Sequence, residues 1–293
     1  MATMSTIGQV EDHSRFVMLG TQRVHYWTSN EAAERTIVML HGFRSSHAGL
    51  RKLADKFPDH RLIIPDFPGY GLTDELPHEH TVDSYAQFIK DFIDKLELHD
   101  FSLMGHSFGA LVGLIYAADH PQHVRALVMV SPVPKPNLVS KAGSLYYLIG
   151  RALPAPLNQH WLTARRLHRP VRQLVVRTHD PLTHAEVMRE GERELEQLRP
   201  HINVENYLSL IRINPTIWLE RLSVPTLVIA GDSDRLTRLS DIVETYERDG
   251  INIQVIAGMG HFAPAEIPQA ISAAVQAWLG QYQPHLKKGV HAE

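Results

Sequence analysis

Residues 101–120 read FSLMGHSFGALVGLIYAADH. A short apolar run, Phe101 to Met104, meets a helical apolar run across Gly105-His106-Ser107-Phe108-Gly109. The pentapeptide fits G-x-S-x-G, the pattern of a strand, a sharp turn and a helix with a serine at the apex. The glycines suit a bend too tight for a Cβ. A serine held this way faces a cleft and is placed to act as a nucleophile. The pattern alone is weak. With Gly and Ser each near ~7% of residues, it recurs by chance in roughly one chain in ten of this length. A serine that merely caps a surface helix is the competing reading.

Further constraint comes from the rest of the chain. Arg15–Leu19 and Arg23–Trp27 read as strands of a hairpin turning at Gly20-Thr21. Thr36–Leu40 and Arg61–Pro65 are short apolar runs that read as buried strands, and Arg125–Val130, Thr226–Ala230 and Asn252–Ile256 also read as strands. Thr81–Leu96 has helical spacing at Val82, Tyr85, Phe88, Ile89, Phe92, Ile93 and Leu96, and Ile267–Trp278 reads as a late helix. Strands alternating with helices imply an α/β fold with a mostly parallel sheet covered on both faces. Sites in such sheets lie beyond the carboxyl ends of the strands. One segment breaks the rhythm: 132–221 is helical and proline-broken. It reads as a helical cap inserted into a core made of 1–131 and 222–293. The tail from Gln283 is polar and reads as frayed.

Composition narrows the function. The 293 residues carry a net charge of -3, which argues against a nucleic-acid binder. There is no cysteine, hence no disulfide, thiol nucleophile or thiolate metal site. No apolar run approaches the ~20 residues of a membrane span, and the first residues lack the basic-then-apolar pattern of an export signal. The expected location is cytoplasmic. None of the histidines has a metal-ligand spacing such as H-E-x-x-H, and Gly69-Tyr70-Gly71 lacks the rest of a phosphate-binding pattern. No cofactor or metal is expected.

A serine nucleophile needs a base, and the base needs a carboxylate to orient it. The run TLVIA leads into Gly231-Asp232-Ser233-Asp234, and NIQVI leads into Ala257-Gly258-Met259-Gly260-His261-Phe262. Serine, then an aspartate, then His261 is the order expected of a hydrolase triad on such a sheet. The run TIVML ends at His41-Gly42-Phe43, where a glycine lets a backbone N–H turn inward. The N–H groups of Phe43 and Phe108 are the candidate oxyanion-hole donors.

These motifs resemble the α/β-hydrolase superfamily, in its serine-nucleophile, esterase/lipase-like branch with a helical cap. The resemblance rests on LHGF at 40–43, PDFPGYGLTD at 65–74, GHSFG at 105–109, GDSD at 231–234 and GMGHF at 258–262. It implies an eight-stranded, mostly parallel sheet with only the second strand antiparallel, and a cap over the nucleophile. It also implies Ser107 as nucleophile, His261 as base and Asp234 as the acid, with Asp232 the alternative. His41 and His106 read as braces of their loops, and Asp66 as a residue that holds its own turn together. Departures are Arg235 and Arg238 where the family often has proline, and Thr73 where serine is common.

The expected reaction is cleavage of a carboxylic ester of a small molecule with an apolar acyl group. Tyr146, Trp161 and Phe262 are the candidate substrate contacts. Aspartate-nucleophile dehalogenases and epoxide hydrolases are disfavoured by Ser107. Carbon–carbon bond hydrolases often carry Asn before the serine and Trp after the histidine, where this chain has His106 and Phe262. Lyases, perhydrolases and non-catalytic receptors share the scaffold. From Lys135 to His179 the cap holds eight cations (Lys135, Lys141, Arg151, Arg165, Arg166, Arg169, Arg172 and Arg177) and no acid. Either this is a solvated face, neutralised locally by Glu186, Glu190, Glu192, Glu194 and Glu196, or it meets an anionic substrate or a membrane surface. Stable membrane insertion is not expected.

Overall fold

A computed structural model of the chain describes residues 13–282 apart from 137, 155, 156, 158–160 and 162–164. For 138–144, 165–167 and 282 it describes the backbone alone. The frayed tail expected from Gln283, and the side chains of Lys141, Leu162, Arg165 and Arg166, lie outside the described residues.

The sheet has eight strands: β1 (Ser14–Leu19), β2 (Gln22–Ser29), β3 (Thr36–Leu40), β4 (Arg61–Pro65), β5 (Phe101–His106), β6 (Val124–Val130), β7 (Thr226–Gly231) and β8 (Ile251–Ile256). Their spatial order is β1-β2-β4-β3-β5-β6-β7-β8. β2 runs antiparallel to both its neighbours, and every other pairing is parallel. This is the mixed, mostly parallel α/β-hydrolase sheet that the resemblance implies.

Side chains alternate across it, as a period of two requires. Val38, Leu40, Leu103 and Val228 enter one apolar cluster, with helices α2 (Val82–Lys95) and α3 (Phe108–Asp119). Ile37, Met39, Met104 and Leu227 enter the other, with α1 (Arg51–Ala54) and the C-terminal helix that begins at Pro268. α2 starts where Thr81 accepts a hydrogen bond from the Ser84 N–H and buries Val82, Tyr85, Phe88, Ile89, Phe92 and Ile93, the expected stripe. α3 is buried on nearly all sides, because it lies over the sheet centre and under the residues that follow β6.

Between β6 and β7 the described elements are all helical: α4 (Leu138–Ala152), α5 (Arg165–Val175), α6 (Pro181–Glu196), α7 (Pro200–Leu210) and α8 (Thr216–Leu219). After β7 come α9 (Leu239–Tyr246), β8, α10 (Ala263–Glu266) and α11 (Pro268–Leu279). Among the described residues no helix is long and apolar enough to cross a membrane.

Asp66 does more than hold its own turn. One carboxylate oxygen accepts from the His47 backbone N–H (2.7 Å) and ring Nδ1 (2.9 Å). The other accepts from His25 Nδ1 (2.7 Å) and the Leu72 N–H (3.0 Å). One buried side chain thus ties β2, the segment after β3 and the turn after β4. Gly71 completes the fit: at φ +52°, any Cβ there would strike the carboxylate. The three residues form a potential metal-ligating cluster, but all four donors converge directly on the carboxylate, as in a hydrogen-bond hub. Burial alone would raise the Asp66 pKa; the bonds from His25 and His47 outweigh it and hold the carboxyl well below the usual range.

Asp66→Asn should therefore cost about 2 kcal/mol or more at neutral pH, because an amide turns N–H donors toward N–H donors. The Asp66 pKa is depressed by folding, so its contribution is present above the unfolded value of ~3.9 and is lost as pH falls through the lower folded value. Urea unfolding of both proteins should show a stability gap that narrows in acid.

Candidate active site

Four strand ends converge on one cleft. At the end of β5 the chain turns at Ser107, which adopts φ +52° and ψ -113°. A non-glycine residue rarely holds such a conformation without support. Here the Ser107 N–H donates to Val130 O (2.9 Å), and Ser107 O accepts from the Ala110 N–H (3.0 Å). The glycines on either side are set by backbone contact. A Cβ on Gly105 would lie 2.4 Å from Ala110 Cα, and one on Gly109 would lie 2.2 Å from Leu40 O.

His261 reaches the serine from the loop after β8, with Nε2 3.1 Å from Ser107 Oγ. Its Nδ1 lies 2.8 Å from Asp234 Oδ2. With Nδ1–H donating to the carboxylate, Nε2 is left to accept the serine hydroxyl proton. His106 Nε2–H donates to the His261 carbonyl (2.8 Å), which anchors the histidine's backbone. Gly231 lets the β7 end approach the His261 loop, since a Cβ there would meet Met259 O at 2.1 Å.

Asp234 also accepts from the Leu236 N–H (2.8 Å), the Thr237 N–H (2.9 Å) and the Thr237 hydroxyl (2.7 Å). Burial opposes ionisation, but the charge and hydrogen bond of His261, aided by Thr237, keep its carboxyl well below the usual range. Asp232 does not reach the histidine ring. It accepts from the Gly258 N–H (2.7 Å) and the Ser233 hydroxyl (3.1 Å), bracing the loop.

After β3, His41 Nδ1–H donates to Gly42 O (2.9 Å), and its Nε2 accepts from the Phe67 N–H (2.9 Å). Both ring nitrogens are thereby occupied. Burial pushes its pKa down to about 4, and that of His106 down to about 3, so both are neutral at ordinary pH. Among the described residues the backbone N–H groups of Phe43 and Phe108 have no protein acceptor.

The cleft opens into a cavity of about 740 Å³ lined by Ser107 and His261, within the range of small-molecule sites. The three expected substrate contacts all line it. Tyr146 and Trp161 stack (5.7 Å, 28°), and Phe262 lies beneath the Arg172 guanidinium (4.6 Å). Further lining groups escaped the sequence reading. Tyr147 and Tyr207 stack at 4.0 Å and meet Phe43, and Arg44 enters from the loop after β3. Their positions depend on how the inserted helices fold over the sheet, which local spacing does not encode.

The charges resolve in part as expected. Glu194 pairs with Arg172 (3.1 Å), whereas Glu186 pairs with Lys52, from outside the helical insertion. Arg169 is exposed at the cavity edge.

The geometry has a spectroscopic consequence. The His261 Nδ1 proton should resonate downfield in a proton NMR spectrum, disappear in Asp234→Ala and persist in Asp232→Ala.

Residues 35–266 match the family model described as alpha/beta hydrolase fold. A Mycoplasma pneumoniae protein that bears an esterase/lipase name is 33% identical over 135 residues, 44% of this chain and 46% of that one. This chain thus spans less than half of that relative's length. A haloalkane dehalogenase of Agrobacterium fabrum is 25% identical over 264 residues, 83% of this chain and 84% of that one. The structure of an esterase from Exiguobacterium antarcticum superposes with a TM-score of 0.75 at 15% identity, covering 88% of this chain and 96% of that one. The family match, the sheet order and the converging strand ends agree: the chain belongs to the α/β-hydrolase fold family.

Proposed function

We propose that the protein is a serine hydrolase of carboxylic esters, with Ser107, His261 and Asp234 as its catalytic triad. The observation that carries this reading is the unbroken chain of contacts from Ser107 Oγ through His261 to Asp234, at 3.1 and 2.8 Å, opening into a cavity.

In this mechanism His261 Nε2 takes the hydroxyl proton while Ser107 Oγ attacks the ester carbonyl. The tetrahedral oxyanion accepts from the N–H groups of Phe43 and Phe108, which have no other acceptor among the described residues. His261 returns the proton to the departing alcohol, leaving an acyl-serine. Water then yields a proton to His261 as it attacks the acyl carbonyl, and His261 passes that proton to Ser107 Oγ as the acyl–oxygen bond breaks and the acid leaves. Asp234 keeps the imidazole in the required tautomer and stabilises its charged form. Segment 132–221 acts as the cap, and its aromatic lining suits an apolar acyl group.

The dehalogenase relative does not redirect this reading. Dehalogenases and epoxide hydrolases attack with a carboxylate, whereas this chain places a hydroxyl at the turn. The exposed Leu145, Leu148 and Leu174, with Arg151 and Arg169 in the same helices, support reversible contact with an anionic lipid surface.

A fluorophosphonate probe should label the wild type and leave Ser107→Ala unlabelled. Asp234→Asn should lower kcat by about 10⁴-fold. Asp232→Asn, which weakens only a loop brace, should cost no more than about tenfold, roughly the loss of one neutral hydrogen bond. Absence of labelling in the wild type would sink the reading, and a reversed order of the two aspartates would reassign the acid.

A further inference from the structure

Arg44 follows the proposed oxyanion donor Phe43 and lies in the left-handed region at φ +59°. Its side chain lines the same cavity as Ser107 and His261. The guanidinium Nη1 donates to His168 Nδ1 at 3.4 Å, and the Tyr147 hydroxyl is its other named contact. The Tyr147 hydroxyl carries no charge, because burial pushes its pKa up. Among the described residues no carboxylate pairs with Arg44: of the cavity's three glutamates, Glu194 is held by Arg172 and the Ser45 hydroxyl, Glu190 pairs with Arg193, and Glu192 has no ion pair to Arg44.

The contacts around Arg44 hold it in place. Tyr146 donates its hydroxyl proton to Trp161 O (3.0 Å), so its oxygen accepts from His168 Nε2–H (2.9 Å). That leaves His168 Nδ1 unprotonated toward Arg44. The cap therefore presents an acceptor that orients the guanidinium without cancelling its charge.

A cation in this setting discriminates between substrates. A wholly apolar substrate filling the cavity would strip water from Arg44 and return nothing, which is costly. A substrate carboxylate would replace that water with charge-assisted hydrogen bonds from a planar fork that matches its geometry. Arg44 directly follows Phe43 in the chain and lines the same cavity as Ser107, so a carboxylate on the acyl group can meet it while the ester sits at Ser107.

We infer that Arg44 is a specificity residue that binds a carboxylate carried by the substrate, making the preferred substrate an ester of a short dicarboxylic or similar anionic acid. This rests on the serine-hydrolase reading. It also places the anion site beside the oxyanion loop rather than on the outer cap arginines.

The test compares para-nitrophenyl hemisuccinate with its neutral isostere, para-nitrophenyl isocaproate. The measured quantity is the ratio of kcat/KM for the two esters in wild type, Arg44→Gln and Arg44→Lys. Arg44→Gln should lower the ratio of anionic to neutral turnover at least tenfold, and Arg44→Lys should lower it less. Fluorophosphonate labelling reports whether each variant keeps a competent Ser107 site; if Arg44→Gln fails to label, Arg44→Lys decides. A labelled variant with an unchanged ratio, or with equal losses on both esters, overturns the inference and leaves the hydrolase reading intact. A wild type that neither labels nor cleaves either ester overturns both.

Discussion

The site depends on how closely the strand end of β5 approaches its neighbours. At Gly105 the helix backbone of α3 sits where a Cβ would be, and at Gly109 the carbonyls of Leu40 and His41 do. These contacts force the chain to reverse within one residue, and Ser107 takes up a left-handed conformation that its hydrogen bonds to Val130 and Ala110 stabilise. The same contacts bring the end of β3 against the start of α3. The N–H groups of Phe43 and Phe108 therefore belong to one packing unit. The turn at Ser107 and the N–H groups of Phe43 and Phe108 are consequences of a single close approach, so their relative positions require no separate device.

Around that unit the electrostatics are arranged by burial. Desolvation keeps His41 and His106 neutral; His41 bonds through both ring nitrogens, and His106 bonds the His261 carbonyl through Nε2. They act as rigid spacers rather than as acids or bases. Asp234 is the opposite case: a buried carboxylate kept ionised by four donors. A charge so heavily bonded is an expensive feature for a loop to carry. Its geometry fixes the imidazole of His261, which it faces at 2.8 Å.

The sheet was legible in the sequence because its central strands are short apolar runs, while the edge strands β1 and β8 mix polar and apolar residues and stay partly exposed. Strand ends were legible too, since glycines and polar residues appear where the runs stop; that is how Ser107, Asp234 and His261 could be named together. The choice between Asp234 and Asp232 was not, because two acids on one loop differ only in which one the loop turns inward. Asp66 was under-read for a related reason. Its partners His25 and His47 lie on separate segments, and only the antiparallel β2–β4 pairing and the chain after β3 bring them together. Arg44 meets His168 and Tyr147 only because the helices between β6 and β7 fold over the loop after β3, which no local spacing encodes.

Those helices are not loosely laid over the cleft. Arg177, just past α5, donates its backbone N–H to Glu266 (2.9 Å) and its Nε–H to Ser233 O (3.4 Å). Its aliphatic stem fills the space beside Gly260, where a Cβ would lie 2.6 Å from Arg177 Cγ. One cap residue thus touches the loop that carries Asp234 and the loop that carries His261. On the opposite side Tyr70 bonds Asn203 and Asn206, and His80 bonds Glu205. The insertion is therefore tied to the sheet on both flanks of the cavity. Any shift of these helices relative to the sheet must also strain the contacts that hold the loops of Asp234 and His261.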